Sequence, residues 1–235
     1  MKKILFLVAM FVTSVMAAAQ ELSVIYQVGF NFQSPHLFEE AGVDEQMRTS
    51  LINAYKDVTL KYQLLYKNGE SEFRIVPSKE RQDVTIMGYT MDINAVMAEQ
   101  ANNYVYKNQN EGIILNKTSV FGKDFLITDS IGKKKYIIDE SETKEILGFE
   151  CIKAVSEDGK NTAWFTPHIP INDGPETCSL GGLVLQLYGE QMVYTAIEIN
   201  EKVDKELVRP EGGKKMTEQE FKEMVMKRVE MMKRG

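Results

Sequence analysis

Histidine, tryptophan and cysteine are scarce in this chain: two, one and two among 235 residues. Each scarcity excludes chemistry. A Ser-His-acid or Cys-His pair would have to use His36 or His168, and neither lies in a nucleophile motif such as G-x-S-x-G. Both read as loop or strand-end histidines. The spacing of Cys151 and Cys178 matches no zinc pattern, so no metal site is expected. Gly181-Gly182 lacks the Lys-Ser/Thr that completes a phosphate loop, and no cofactor is expected. After the first 16 residues no apolar run approaches the ~20 residues that cross a bilayer as a helix. Excess positive charge is missing too. The formal net charge is −6, which disfavours nucleic acid as a partner, because phosphate binding needs clustered cations. With no catalytic residue identified, the chain is expected not to be an enzyme.

The N-terminus has the form of an export signal. Lys2-Lys3 is a charged start, Ile4 to Met16 is apolar, and Ala17-Ala18-Ala19 offers small residues for cleavage. Residues 1–19 are therefore read as a signal peptide, with no cysteine placed for lipid attachment. The exported remainder fits one domain. Loss of Lys2 and Lys3 leaves it still more acidic. An oxidising compartment favours a disulfide between Cys151 and Cys178. Closing that loop would stabilise the fold by roughly 3.6 kcal/mol in the chain-entropy picture. The alternative is a pair of buried free thiols.

Period-2 alternation dominates the exported part of the chain, the signature of half-buried strands. Val24, Tyr26, Val28, Phe30 and Phe32 share one face. Val58, Leu60, Tyr62, Leu64 and Tyr66 repeat the pattern, and Asn68-Gly69 then marks a tight hairpin. Asp158-Gly159 marks another. Ten or more serial strands predict a mainly β fold: a curved antiparallel meander forming a half-barrel or bowl, since a flat sheet of that size is unfavourable. Absence of βα alternation excludes a doubly wound fold. The division expected is an antiparallel β domain over 20–201 and a charged linker with a C-terminal amphipathic helix over 202–235.

Helices are few. Asp44 caps a candidate over 44–55, and 91–102 is a second. Thr217-Glu218-Gln219-Glu220 is a capping box opening the last helix. Phe221, Met224, Val225, Val229 and Met232 line one face of that helix, and Lys227, Arg228, Lys233 and Arg234 crowd its C-terminal half. Its methionines read as packing residues rather than copper ligands. The roles open to it are an internal plug, a partner-docking arm and a peripheral membrane contact. The carboxylates Glu39-Glu40, Asp57 and Asp139-Glu140 read as solvated loop charges.

The densest segment lies between Gly148 and Leu187. It contains Gly148-Phe149-Glu150-Cys151-Ile152-Lys153-Ala154, a strand through Trp164, Thr166, Ile169 and Pro170, then Gly174-Pro175, and finally Leu180-Gly181-Gly182-Leu183-Val184. In these residues the chain resembles the GLPGLI family, secreted proteins of Bacteroidetes-type bacteria. It departs in the name-giving motif, with Ser179, Gly181 and Val184 where the family has Gly, Pro and Ile. The resemblance implies an exported envelope protein, periplasmic or associated with the outer membrane or cell exterior of a Gram-negative bacterium. It implies no established activity.

These readings predict a non-enzymatic envelope protein that binds a partner protein or an apolar ligand on the concave face of its sheet. The groove residues expected are Trp164, Phe165, Leu183, Leu185 and Leu187. The alternative is a carrier or chaperone for lipid or lipoprotein, with a hydrolase third.

Overall fold

A computed structural model describes residues 21–34, 37, 44–175 and 178–234. The signal segment and His36 lie outside the described residues, as does Glu39-Glu40.

The protein is mainly β, built on one large curved sheet that does not close into a barrel. Its strands are β1 (Glu21–Phe30), β2 (Leu60–Lys67), β3 (Glu70–Val76), β6 (Tyr104–Asn108), β7 (Ile113–Val120), β8 (Lys123–Ser130), β9 (Tyr136–Ile146), β10 (Phe149–Ser156), β11 (Thr162–Thr166), β12 (Leu183–Tyr188), β13 (Met192–Asn200) and β14 (Lys214–Thr217). A separate hairpin holds β4 (Asp83–Ile86) and β5 (Tyr89–Asp92). The sheet order is β14-β8-β7-β6-β3-β2-β1-β13-β12-β11-β10-β9. Every pair is antiparallel except β14 with β8.

Two runs of neighbouring strands meet at β1 and β13, so the first described strand lies in the middle of the sheet. The far edges belong to β14 and β9. Yet β8, next to one edge, connects to β9, the other edge, through residues 131–135 alone. Six residue steps span at most about 20 Å. The sheet must therefore curl until its ends approach one another, which gives a bowl rather than a plane.

Alternation dictates what fills the bowl. Leu22, Val24, Tyr26 and Val28 of β1 point inward and are almost wholly buried. They face Tyr66, Leu64, Tyr62 and Leu60 in register across β2. Leu183, Leu185 and Leu187 of β12 belong to the same core. The segment linking β11 to β12 folds into the bowl and adds Ile169 and Ile171. Burying this apolar surface, at about 25 cal/mol per Å², is the main stabilising term.

That inserted segment is pinned by a buried ion pair. Lys107, on β6, donates to Asp173 at 2.5 Å and to the Gly174 carbonyl at 3.1 Å. Both charged side chains are essentially excluded from solvent, at 2 % and 0 % exposure. The second Asp173 carboxylate oxygen has no hydrogen-bond partner among the described residues. Two glycines permit the close fit. A Cβ on Gly174 would stand 2.5 Å from Val184 Cβ, and one on Gly182 would stand 2.5 Å from the Thr166 carbonyl oxygen.

Three helices complete the described residues. In α1 (Glu45–Tyr55), the Asp44 carboxylate accepts from the Met47 N–H at 2.7 Å, the cap its sequence predicts. The second helix, α2 (Ile93–Ala98), is shorter than expected because β5 takes Met91 and Asp92 becomes its cap. The last helix, α3 (Glu218–Arg234), opens on the reciprocal box read from the sequence. The Thr217 N–H donates to Glu220 at 2.7 Å, and the Glu220 N–H donates to the Thr217 hydroxyl at 3.2 Å. Between β13 and β14 the chain crosses the outer face of the sheet. There Lys205 bonds Glu72, Arg209 bonds Glu111, and the Tyr104 hydroxyl donates to the Val208 carbonyl. No helix among the described residues is long and apolar enough to cross a membrane.

Candidate functional site

A cavity of about 920 Å³ opens on the concave side where the β8 and β9 ends of the sheet approach without pairing. Its floor is aromatic. Tyr62 stacks on Phe73 with ring centres 5.3 Å apart, and Tyr194 stands edge-on to Tyr62 at 6.1 Å. Phe73 and Tyr194 are nearly buried, whereas Tyr62 is only half-buried. Register places these rings together. Val28 of β1 pairs with Tyr194, Tyr26 with Tyr62, and Tyr62 in turn with Ile75 of β3.

The walls are polar. From β7 and β8 come Asn116 and Asp129, which share the concave face because Asn116 pairs with Ile127 and Ile114 with Asp129. The 131–135 turn supplies Lys133, Lys134 and Lys135. Across the opening stand Asp158 and Lys160 of the β10–β11 hairpin and Glu190 of the β12–β13 turn. Asn103 and the first turn of α3 close the sides.

Opposite charges hold these walls in order. Lys133 bonds Asp129 at 3.1 Å and lies 3.8 Å from Glu218, which also pairs with Lys222. Partial burial pushes the Asp129 carboxyl upward. The Ser130 N–H, a hydrogen bond shared with Glu218 and the Lys133 ammonium outweigh it and hold the group below the usual carboxylate range. On the other wall the Ser156 hydroxyl and the Lys160 N–H bond Asp158 and lower its pKa, and Lys160 reaches Glu190 at 3.0 Å. Carboxylates, amides and ammonium groups beside a half-exposed phenol ring can hydrogen-bond a hydroxyl-rich ligand and stack on its apolar face.

The groove expected from the sequence is elsewhere and is not a groove. Leu183, Leu185 and Leu187 are 0–2 % exposed and Phe165 is 5 % exposed, all within the main core. Ile169 and Ile171 of the inserted segment belong to the same core and occupy the space a ligand would need. Trp164 is half-buried, with the Lys144 ammonium 4.1 Å from its ring centre. The expected disulfide is not formed. Cys151 and Cys178 are both buried and not bridged to each other. The Cys151 thiol donates to the Phe149 carbonyl at 3.5 Å, and the Cys178 sulfur lies 3.4 Å from the Tyr136 hydroxyl. Burial raises Cys151 to about 11, with the Lys144 charge opposing the rise in part. His168 is exposed on the inserted segment, and Asp57 is exposed outside the cleft.

Sequence reasoning missed the cleft residues themselves. Asn116, Asp129, Lys133 and Glu190 come from four separate turns and strands, and each reads locally as an ordinary polar position. The available signal was the Lys133-Lys134-Lys135 run in a connection too short to lie far from both sheet ends.

Comparison with known proteins overturns two expectations. No curated protein matches the chain. The family model that matches is described as N-glycanase peptide, N-terminal domain, and it covers residues 64–223, about two thirds of the chain. The resemblance to GLPGLI proteins is therefore corrected: the Gly148–Leu187 motifs lie inside the span of a different family. Corrected with it is the expected role of binding a partner protein or an apolar ligand on the concave face, together with its lipid-carrier alternative. The family points instead to glycanase-related work, and the concave cavity is walled by charge rather than hydrocarbon. By this match, spanning β2 to the start of α3, the chain belongs to the N-glycanase peptide, N-terminal domain family.

Proposed function

We propose that this protein works in the processing of N-linked glycans and takes the carbohydrate in the concave cleft. One observation carries the reading: a family that points to glycanases is joined to an open cavity of about 920 Å³ whose walls suit sugars. Hydroxyl groups need donors and acceptors at many angles, and Asn116, Asn103, Asp129 and Glu190 offer both kinds. The pyranose faces are apolar, and Tyr62 offers a ring. The charged walls disfavour a purely apolar guest, because an apolar surface would leave Asp129, Lys133 and Glu190 desolvated without new partners.

The reading gives this chain engagement of the glycan and assigns no bond-breaking group to it. Export fits such a role, since glycoproteins are met outside the cytoplasm. We place the protein in the periplasm or at the outer surface of a Gram-negative envelope.

The test titrates the protein, produced without residues 1–19, with an N-glycosylated peptide and with the same peptide lacking the glycan, followed by calorimetry. Binding that requires the glycan is expected. Equal binding of both peptides, or of neither, overturns the reading. Mass spectrometry of the same mixture reads glycan release. Release of glycan by the chain alone would overturn the assignment of engagement without cleavage while leaving the glycan specificity intact.

A further inference from the structure

We infer that the rim opposite the cleft docks on the surface of an anionic lipid bilayer. Strand directions define that rim. β8 runs toward the cleft and ends at Ser130, while β9 starts there and runs away. The tips of the β7–β8 and β9–β10 hairpins therefore both point away from the cleft. Helix α3 runs the same way. Glu218 stands at the cleft beside Lys133, Phe221 packs on Phe125, and Arg228 lies 5.8 Å from the Phe121 ring centre.

Apolar groups are exposed at this rim without any interior reason. Phe121 is 44 % exposed and Leu147 is 44 % exposed, each the first residue of a two-residue turn with positive φ. Asn, Asp or Gly suit that backbone better, so the large side chain costs the turn something and gains only partial burial. Val229 and Met231 flank the apolar stripe of the helix on either side, at 40 % and 53 % exposure. A shallow pocket of about 260 Å³ joins Phe121 and Met231.

Charge selects the occupant. Lys123, Lys227 and Arg228 edge that same pocket, although the chain as a whole carries −6. At 100° per residue Glu223 and Glu230 fall on the side of α3 opposite Arg228, with Lys227 between them and the pocket. Exposed rings and thioethers within a basic border match a bilayer interface bearing anionic headgroups. Docked in this way, the cleft opens away from the lipid.

The experiment is co-sedimentation of the protein, produced without residues 1–19, with vesicles of phosphatidylcholine containing about 30 % phosphatidylglycerol (an order-of-magnitude anionic content) and with pure phosphatidylcholine vesicles. Binding to the anionic vesicles alone is expected, weakened by salt. Lys227→Gln with Arg228→Gln should weaken partition roughly 25-fold, about fivefold per basic residue. Phe121→Ser with Met231→Ser should weaken it as well. All four sites are exposed, and circular dichroism checks that the variants keep their fold. No binding to anionic vesicles overturns the inference, and so does binding that these substitutions leave unchanged. Self-association through the rim, seen as a dimer in sedimentation and abolished by Phe121→Ser, would also overturn it in favour of a second copy as the occupant.

Discussion

Two halves of one concave surface meet different fates. Over β10 to β13 the chain folds its own 167–182 segment into the bowl and seals it with Ile169, Ile171 and a buried Lys107–Asp173 pair. Over β7 and β8 the cleft end of the same face stays open, with Asn116 and Asp129 in contact with the cavity, while α3 covers Phe125 and Ile127 further along. Curvature alone does not create a binding site. The inserted segment decides which half is core and which half is cleft, and the inward side chains of each half suit that outcome: leucines beneath the insertion, amides and carboxylates where it is absent.

Four substitutions or conditions probe this division. The largest effect belongs to the seal. Lys107→Met leaves the Asp173 carboxylate buried without its cation and should destabilise the protein by about 3–5 kcal/mol in urea unfolding. Adding Asp173→Asn should recover part of that loss, because no unpaired charge then remains. An unchanged unfolding midpoint for Lys107→Met would show that the insertion is held by its apolar contacts alone. Next comes the fit of the segment. Gly174→Ala drives a Cβ to 2.5 Å from Val184 Cβ, an overpacking that should cost about 1–3 kcal/mol. Relaxation of β12 without loss of stability would argue for a looser half than the burial suggests.

The closed half was partly legible in the sequence, and the open half was not. Alternation along β1 and β2 named the inward residues correctly, since Val24, Tyr26, Leu60 and Leu64 are all core. Asn68-Gly69 forms the expected turn, with φ of 52° and 87°. Met87-Gly88, Phe121-Gly122 and Leu147-Gly148 adopt the same positive φ values, but their apolar first residues give no turn signal. That is why β5 and the full length of β9 were not anticipated. β9 also hides because it is an edge strand carrying charge, with Asp139, Glu140, Glu142 and Glu145 where alternation would need apolar groups. β14 is only four residues long and pairs in parallel, so its contacts are entirely non-local. Of the groove residues chosen from the sequence, Phe165, Leu183, Leu185 and Leu187 are buried in the core, whereas Trp164 pairs with Gln186 and stands half-buried beneath Lys144. No local pattern reports whether a concave face is covered.

The third probe is alkaline pH, and it reads the closed half again through Cys151. Burial lifts this thiol from an ordinary 9.0 to about 11. The unfolded chain therefore loses its thiol proton first as pH rises. The stability this group contributes is complete below about pH 9 and declines between about pH 9 and pH 11. Unfolding curves for the native protein and Cys151→Ala should converge across that window, after subtraction of the constant cost of the smaller side chain. Curves that stay parallel would mean that the thiol senses no more burial than an exposed one. Slow alkylation by iodoacetamide at about pH 8, accelerated on unfolding, is the companion readout.

The smallest effect on stability should accompany a clear effect on binding, and this last probe separates the halves most sharply. Asn116 sits in the open wall, half-buried, with its neighbours across β8 supplying the backbone pairing. Asn116→Ala removes a donor and an acceptor from the cavity without opening the core, so unfolding free energy should change by no more than about 0.5 kcal/mol. Affinity for an N-glycosylated peptide should fall about fivefold, the worth of one net hydrogen bond. Lys107→Met gives the opposite signature, in which stability collapses and any loss of binding follows from unfolding. If Asn116→Ala instead lowers stability as much as a core change, the open wall is structural and the division between a sealed half and a receiving half fails. If it alters neither quantity, the carbohydrate is met elsewhere on the protein.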